Sequence, residues 1–348
     1  MKVKNILAAT LALGFLSQSA TAVEESAFVK SLVKGPYIIP AKDGEWTWGM
    51  APIYDDDGKV HVFNSIIPNT DKGGNWKVNS KIVHWVADKP DGPYKFLGDV
   101  FISDDASYHN PQISKVGDTY VLVFLLNRHS DENGSKQEVG IATAKSLNGP
   151  WKESPLNPVI KATEKNGQHA SNPTFVVAPD GKFRIYHKTM TTRNGEIYRE
   201  ISLAISDKIE GPYEVAKESP LISYADKGVD IEDPYAFYYK GMYYMILEDR
   251  QNVKGLLEGK HEGVGKAKLG GYRPGLIYQS KDGLDWGLPK VGYQTNEIYF
   301  GHTLARSERP SILWKDGKPE YLFLACHDKD PTAGYILKIN GWDGEPEK

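Results

Sequence analysis

A hairpin pattern recurs five times in the sequence, and this recurrence limits the possible folds more than any other feature. Each copy has a proline near the start of an apolar strand, a turn rich in Gly or Asp, and a second apolar strand, as in "EDPYAFYYKGMYYMILEDR". The other copies are "GMAPIYDDDGKVHVFNS", "HNPQISKVGDTYVLVFLLNR", "SNPTFVVAPDGKFRIYHK" and "ERPSILWKDGKPEYLFLACHD". The prolines are Pro52, Pro111, Pro173, Pro234 and Pro310, so the intervals are 59, 62, 61 and 76 residues. Self-similarity at a nearly constant period indicates a repeat architecture.

Two further strands follow each hairpin, as in "QEVGIATAKSLNGPWKESPLNPVI" after the second copy. The alternation of apolar residues between Gly, Pro, Asp and Asn turns indicates antiparallel strands. The predicted fold is therefore all-β, a five-bladed β-propeller with four antiparallel strands per blade and few helices. The predicted blades of the single domain, residues 23–348, are near 45–102, 106–161, 168–223, 230–295 and 300–345. The segment "VKGPYIIP", residues 33–40, is predicted to close the ring as the outer strand of the last blade.

Residues 1–22 have the form of a cleaved signal peptide. Lys2 and Lys4 precede an apolar run, and the segment ends in Ala-Thr-Ala at 20–22. The apolar run is shorter than the roughly 20 residues that span a bilayer, so export to the periplasm or medium is predicted, without membrane insertion. The single Cys326 excludes an intrachain disulfide, so the core alone must stabilise the exported domain.

The charge pattern gives no indication of a nucleic-acid partner. The formal net charge is -3, and no helix rich in Lys and Arg is apparent. Neither the Cys/His spacing of a transition-metal site nor a phosphate-binding glycine loop is present. No nucleic acid, cofactor or metal is therefore predicted, and the oligomeric state is open.

The adjacent carboxylates Glu232 and Asp233 open an apolar hairpin. Like charges repel, so such a pair is expected to face water, a partner or a substrate. The first strands of propeller blades surround the central axis, and their starts converge at one mouth. The predicted polar funnel also contains Trp48, His109, Asn110, Asn172, Glu308 and Arg309 from the first strands, and Arg128, His187 and His327 from the ends of second strands.

Several of these residues also have structural interpretations, which stay open at this point. Asn110 and Asn172 fit ordinary turn chemistry. Arg309 fits a structural partner of a buried carboxylate, and His187 and His327 fit buried core histidines.

The motifs "HNP" with "GDTYVLVF", "EDP" with an aromatic strand, and "ERP" with "GKPEYLFLA" resemble the five-bladed-propeller glycoside hydrolases of families 43, 32, 62 and 117. The chain looks closest to family 43-like and family 117-like bacterial proteins that act on plant or marine polysaccharides. The resemblance implies exo-type hydrolysis with inversion, by an acid and a base at the axial mouth. It also implies that oligosaccharide or polysaccharide is the partner.

The resemblance implies catalytic roles residue by residue. Family 43 enzymes have an Asp base at the start of the first blade, where this sequence reads "TWGMAP" with Met50. The family 117-like pattern fits Asp233 and Glu308 better, with Glu232 as a neighbouring carboxylate. It also implies His302 in "FGHTLARSERP" as a candidate acid.

Two other function classes stay open. The absent first-blade carboxylate also fits a non-hydrolytic sugar-binding propeller, in which Trp46, Trp48 and Trp76 would stack on sugar rings. A polysaccharide lyase that uses histidine, tyrosine and arginine is the third class. Product analysis distinguishes all three.

The fourth repeat has excess length in residues 251–275, and long loops often carry specificity. This segment has five cations, Lys254, Lys260, Lys266, Lys268 and Arg273, and two anions, Glu258 and Glu262, so its net charge is 5 − 2 = +3. It fits a solvated flexible loop, or one that recognises an anionic sugar, a uronate or a sulfate ester.

If the second interpretation is correct, the double substitution Lys266→Glu, Lys268→Glu lowers kcat/KM for a charged substrate. The loss should be larger at low salt, because salt screens exposed charges. A neutral analogue of the same substrate is the control. Equal effects on both substrates, or no effect on either, would exclude this role for the loop.

Overall fold

The computed structural model describes residues 22–39, 45–68, 75–129, 136–260, 274–294, 299, 304, 306–327 and 333–346. In chain order the strands are β1 (Leu32–Ile39), β2 (Glu45–Tyr54), β3 (Val60–Pro68), β4 (Lys81–Ala87), β5 (Lys95–Asp99), β6 (Ala106–Val116), β7 (Thr119–Arg128), β8 (Glu138–Ala144), β9 (Lys152–Glu153), β10 (Ser171–Val177), β11 (Phe183–Arg193), β12 (Glu196–Ser206), β13 (Glu214–Val215), β14 (Glu232–Tyr239), β15 (Met242–Glu248), β16 (Gly275–Ser280), β17 (Lys290–Tyr293), β18 (Arg306–Lys315), β19 (Lys318–His327) and β20 (Ala333–Ile339). The helices are short: α1 (Ala27–Ser31), α2 (Trp76–Asn79), α3 (Val253–Leu257) and two 3-10 turns at Glu164–Asn166 and Ala225–Lys227.

These strands form five antiparallel sheets of four strands each. Four sheets follow chain order, β2–β5, β6–β9, β10–β13 and β14–β17, and the fifth has the order β1-β20-β19-β18. The first strands β2, β6, β10, β14 and β18 contact one another in succession, and β18 also contacts β2. The inner strands therefore surround a central axis, and the predicted five-bladed β-propeller is confirmed.

Five apolar clusters lie between successive blades, one at each interface. Strand β7 shows how one strand supplies two of them. Val121 and Val123 pack towards the third blade, whereas Leu122 and Phe124 pack towards the first. Because successive side chains of a strand point to opposite faces and both faces are buried, the central strands read as nearly continuous apolar runs.

The N-terminal segment lies against the last and fourth blades. Strand β1 pairs antiparallel with β20 and is the outer strand of the fifth sheet. Before it, the backbone N–H groups of Ala27 and Phe28 donate to the Glu345 carboxylate at 3.0 and 2.7 Å. That β1 is what holds the ring closed stays a prediction.

The predicted signal peptide is residues 1–22, and residues 1–21 lie outside the described part of the chain. Among the residues that the structure describes, no helix is both long and apolar enough to cross a bilayer. Export stays a prediction.

Every inner strand contains one extra residue near the same mouth of the propeller, where the pairing register with its neighbour shifts. The bulged residues have positive φ angles, 55° at Gly49, 49° at Asn110, 52° at Asn172, 62° at Asp233 and 53° at Arg309. Their spacings are 61, 62, 61 and 76 residues, which is more regular than the proline spacing. The first repeat is therefore aligned at Gly49 and not through Pro52, because the bulge fixes the register.

Gly49 is required at its bulge for two reasons. Its φ of 55° disfavours any residue with a Cβ, and a Cβ built there would lie 2.8 Å from Oδ1 of Asn110. Gly58 has a φ of 81°, and a Cβ added to it would meet no atom within 4 Å, so this glycine isolates the backbone effect.

We expect Gly49→Ala to lower the free energy of unfolding by about 2–4 kcal/mol, from backbone strain and steric overlap together. Gly58→Ala should lower it by about 1–2 kcal/mol, from strain alone. Urea unfolding of both variants measures the difference. Equal losses would show that the Asn110 side chain moves away from the added Cβ with no loss in the free energy of unfolding.

Candidate active site

A cavity of about 250 Å³ opens at the mouth where the five bulges lie. Its walls come from the starts of inner strands and the ends of the strands beside them. Its aromatic and apolar lining residues are Trp46, Trp48, Ile67, Trp76, His109 and His327. Its other lining residues are Asn110, Asn172, Lys188, Arg199, Glu232, Asp233, Arg250, Arg306 and Glu308.

Four of the bulged residues, Asn110, Asn172, Asp233 and Arg309, form a hydrogen-bonded ring across the axis, here called the axial ring, and Gly49 lies against Asn110. Asn110 Nδ2 donates to Asn172 Oδ1 at 2.9 Å, and Asn172 Nδ2 donates to Asp233 Oδ1 at 2.6 Å. The backbone N–H of Arg309 donates to Asp233 Oδ2 at 3.2 Å, and its Nη1 lies 3.5 Å from Oδ1. Arg309 Nη2 then donates to the Asn110 carbonyl at 3.4 Å. Both oxygens of Asp233 are thus engaged in supporting the axis.

Glu232 precedes Asp233 and is held by three cations. Its Oε1 lies 2.6 Å from Lys188 Nζ, and its Oε2 lies 2.9 Å from Arg199 Nε and 3.3 Å from Arg250 Nη1. Burial acts to raise the pKa of Glu232, but these positive charges outweigh burial and hold the pKa well below its usual range. Glu232 is therefore an ionised carboxylate at neutral pH.

Glu308 precedes Arg309, and its pKa is shifted in the opposite direction to that of Glu232. Its side chain is buried, and its Oε1 has no hydrogen-bond partner in the described structure. Among the described residues, the nearest cation is Arg306, whose Nε lies 3.8 Å away, beyond hydrogen-bond distance. Burial, with the negative charges of Asp233 and Glu232, raises the pKa of Glu308 to about 7. Glu308 therefore holds a proton through much of the range below neutrality.

A third buried carboxyl, Glu248, completes the acidic floor. It pairs with Glu232 across β14 and β15. One oxygen each of Asp233, Glu248 and Glu308 lie within 4.8 Å of one another. Burial, then the charge of Glu308, raises the pKa of Glu248 well above its usual value. Three acidic oxygens alone do not establish a metal site, and the Arg309 guanidinium already supplies positive charge beside Asp233.

Aromatic side chains form the other wall of the cavity. Trp76 stacks on His109, with ring centroids 5.0 Å apart and an interplanar angle of 28°. His109 Nδ1 lies 2.7 Å from Ser80 Oγ, and burial lowers the pKa of His109 to about 3, so its ring is neutral. Trp46 lies beside His327, with centroids 6.1 Å apart. This wall presents flat apolar faces to a ligand.

The structure brings most of the predicted site residues together. Trp48, His109, Asn110, Asn172, Glu232, Asp233, Glu308 and His327 line the cavity, and Arg309 lies in the axial ring beside them. Arg128 does not line it, because its exposed side chain donates to the Asn157 carbonyl at 3.2 Å. His187 does not either, being fully buried with Nδ1 3.3 Å from the Ile185 carbonyl. Burial lowers the pKa of His187 to about 4. His302, Lys266 and Lys268 lie outside the described residues.

Sequence reasoning missed the charged residues that surround Glu232 and Glu308. These are Lys188, Arg199, Glu248, Arg250 and Arg306. Four of them are near predicted residues or motifs in the chain. Lys188 follows His187, Glu248 and Arg250 lie at the end of the fourth hairpin motif, and Arg306 is two residues before Glu308. Strand alternation would have placed Lys188 and His187 on opposite faces, but it could not say which face reaches the mouth.

Comparison with known proteins agrees with the fold. Neither a family model nor a curated protein matches the sequence. Among solved structures, Zg3597, a family 117 glycoside hydrolase produced by the marine bacterium Zobellia galactanivorans, superposes with a TM-score of 0.62 at 15% identity, covering 91% of this chain and 96% of that chain. A thermostable family-43 glycoside hydrolase gives 0.60 at 13% identity, covering 90% and 98%. Bombyx mori GH32 β-fructofuranosidase BmSUC1 gives 0.61 at 15% identity, covering 88% and 63%. The predicted resemblance is confirmed for the fold.

The raised pKa of Glu308 predicts how stability depends on pH. A carboxyl whose pKa is higher in the folded state holds its proton more tightly there, so the contribution to stability is complete below about pH 4.5 and is lost as pH rises through about 7. Glu308→Gln removes this dependence because glutamine stays neutral. The free energy of unfolding of the variant minus that of wild type should therefore rise by about 1–3 kcal/mol from pH 5 to pH 8.

Urea unfolding at the two pH values measures this gain. Glu214→Gln, on an exposed strand, is the matched control and should show no comparable change. A Glu308→Gln difference that is the same at pH 5 and pH 8 would contradict the assignment of a proton to Glu308.

Proposed function

We propose that the protein is a glycoside hydrolase whose acid is Glu308 and whose ionised carboxylate is Glu232. The observation that carries this proposal is that two buried carboxyl groups line one cavity in opposite surroundings. Oε1 of Glu308 has no hydrogen-bond partner among the described residues, whereas Glu232 is held by three cations, and these surroundings shift the two pKa values in opposite directions. Neighbouring carboxyls with pKa values driven apart are the arrangement that glycosidic bond cleavage needs.

In the proposed reaction, Glu308 transfers its proton to the leaving glycosidic oxygen as the bond to the anomeric carbon breaks. Water adds to that carbon, and its proton passes to solvent beside Glu232. Glu308 then regains a proton from solvent. Because its pKa is low, Glu232 is a weak base, and its proposed contribution is to orient the water.

Asp233 fits the role of base less well than the sequence suggested. Its carboxylate closes the axial ring that joins the blades, whereas the carboxylate of Glu232 is ion-paired outside that ring. One oxygen of Asp233 also lies within 4.8 Å of a Glu308 oxygen, whereas inverting pairs have carboxyl groups about 6.5–9.5 Å apart. We keep inversion, which the family resemblance implies, as the proposed outcome, with Glu232 facing the water.

The proposed substrate is an oligosaccharide from plant or marine algal walls, cleaved from one end by the exported protein. Exo action is what the family resemblance implies, and the cavity of about 250 Å³ at the axial mouth is the proposed site of the terminal sugar unit. The flat faces of Trp46 and Trp76 are suited to packing against a sugar ring.

A screen of purified plant and algal oligosaccharides tests the proposal. New reducing ends without absorbance from an unsaturated uronate support hydrolysis, and that absorbance would indicate a lyase instead. Affinity without any product would favour the sugar-binding propeller. The observation that favours this class is that the first blade has Trp48 and Gly49 at the positions equivalent to Glu232-Asp233 and Glu308-Arg309. Proton NMR of the first product gives the anomeric configuration and decides between inversion and retention.

On a substrate found in this way, Glu308→Gln and Glu232→Gln should each lower kcat by roughly 10²–10⁴-fold, the usual contribution of a positioned acid or base. Wild-type kcat should fall above about pH 7 as Glu308 loses its proton. Glu214→Gln should match wild type. Near-wild-type turnover by Glu308→Gln, with a folded protein by circular dichroism, would remove Glu308 from the mechanism.

A further inference from the structure

The charged groups of the cavity are sorted by depth. The exposed fractions of the guanidinium side chains are 51% for Arg306 and 25% for Arg250. Those of the carboxylates are 12% for Glu232 and 8% for Glu308. A ligand that enters therefore meets guanidinium groups on the wall before it reaches the carboxyls of the floor.

The two outermost arginines have donors available for a ligand. Arg250 contacts Glu232 through Nη1 at 3.3 Å, and its buried Nε has no hydrogen-bond partner in the described structure. Arg306 approaches Glu308 only at 3.8 Å, which is too long for a hydrogen bond. Lys188 differs, because its 6% exposed side chain is committed to Glu232 at 2.6 Å.

The charge balance around the cavity agrees with this geometry. The cations are Lys188, Arg199, Arg250, Arg306 and Arg309, and the carboxyls are Asp230, Glu232, Asp233, Glu248 and Glu308. These five cations and five carboxyls would cancel if every carboxyl were ionised. Burial shifts the pKa values of Glu248 and Glu308 upwards, so the balance moves towards positive charge as the pH falls below neutrality.

We propose that the sugar unit bound in this cavity carries an anionic substituent, a carboxylate or a sulfate ester, held by Arg250 and Arg306. A guanidinium group suits both anions, because its N–H donors match paired oxygens and the hydrogen bonds are charge-assisted. This inference rests on the proposed function only in taking a sugar as the ligand. It concerns described residues of the cavity and is independent of the 251–275 segment.

The test is binding of monosaccharides that cannot be cleaved, so it does not depend on hydrolysis. Two sets of monosaccharides are titrated into the wild-type protein at pH 6 and low salt, with NMR or calorimetric detection. One set is galactose, galacturonate and galactose 6-sulfate, and the other is glucose, glucuronate and glucose 6-sulfate. At least one charged probe should bind about tenfold or more tightly than its neutral parent. A preference for the uronates identifies a carboxylate, and a preference for the sulfated sugars identifies a sulfate ester.

The same titrations are repeated with Arg306→Gln and Arg250→Gln. Each variant should weaken binding of the preferred charged probe by about five- to twentyfold, and by clearly more than it weakens binding of the neutral parent. Arg306→Lys should be intermediate, because it keeps the charge but loses the forked donors. Lys145→Gln is the control for total charge, since this side chain is 70% exposed and pairs with Asp118 at the opposite end of its sheet from His109.

The inference is overturned if no charged probe binds more tightly than its neutral parent, or if both arginine variants bind the charged probe as wild type does. Hydrolysis of neutral oligosaccharides alone, with no preference for charged probes, would overturn this inference and leave the proposed function standing. Selective binding of a charged probe by a protein that cleaves no oligosaccharide would support this inference and contradict the proposed function.

Discussion

The buried ion pair between Arg309 and Asp233 is the interaction on which the rest of the site depends. It closes the axial ring, in which Asn110 and Asn172 bridge the remaining blades by hydrogen bonds and Gly49 gives way to the Asn110 side chain. Burying two charges is unfavourable unless they are paired and hydrogen-bonded, and here several inter-blade bonds depend on that pairing. In the chain, Glu232 immediately precedes Asp233 and Glu308 immediately precedes Arg309. The ring therefore fixes the position of both proposed reacting carboxyls through the backbone.

Two glutamates at equivalent positions of adjacent blades have pKa values shifted in opposite directions because their neighbours differ. Glu232 receives Lys188, Arg199 and Arg250 from the second and third strands and the loop beside it. Within the described part of the chain, Glu308 has one arginine at 3.8 Å and lies close to other carboxyls. Repetition of one structural unit thus creates matched positions, and divergence of the neighbouring strands gives those positions different chemistry.

The fold was predictable because it is encoded redundantly, in five similar hairpins whose strands bury both faces. The meeting of Asn110, Asn172, Glu232, Asp233 and Glu308 at one mouth follows from the same repetition. The alignment of the first blade was not predictable, because the bulge at Gly49, and not the proline at Pro52, sets the register. The cations around Glu232 were missed for a similar reason. Arg199 comes from a third strand, and which of its residues reaches the axis depends on strand twist and register, which sequence alternation leaves undefined.

With the blades aligned at their bulges, the two sides of the cavity differ in chemical character. The first and second blades contribute Trp46, Trp48, Trp76 and His109, whereas the fourth and fifth contribute the carboxyls and Arg306. Under the proposed function, a sugar ring packed against the aromatic wall would present its polar edge to the opposite wall, where Glu308 and the arginines lie. The presence of Trp48 in place of an acid is then explained by the packing of the sugar ring. The position that would hold a carboxylate in a symmetric funnel instead supplies an apolar surface, and the reacting groups are confined to one side of the axis.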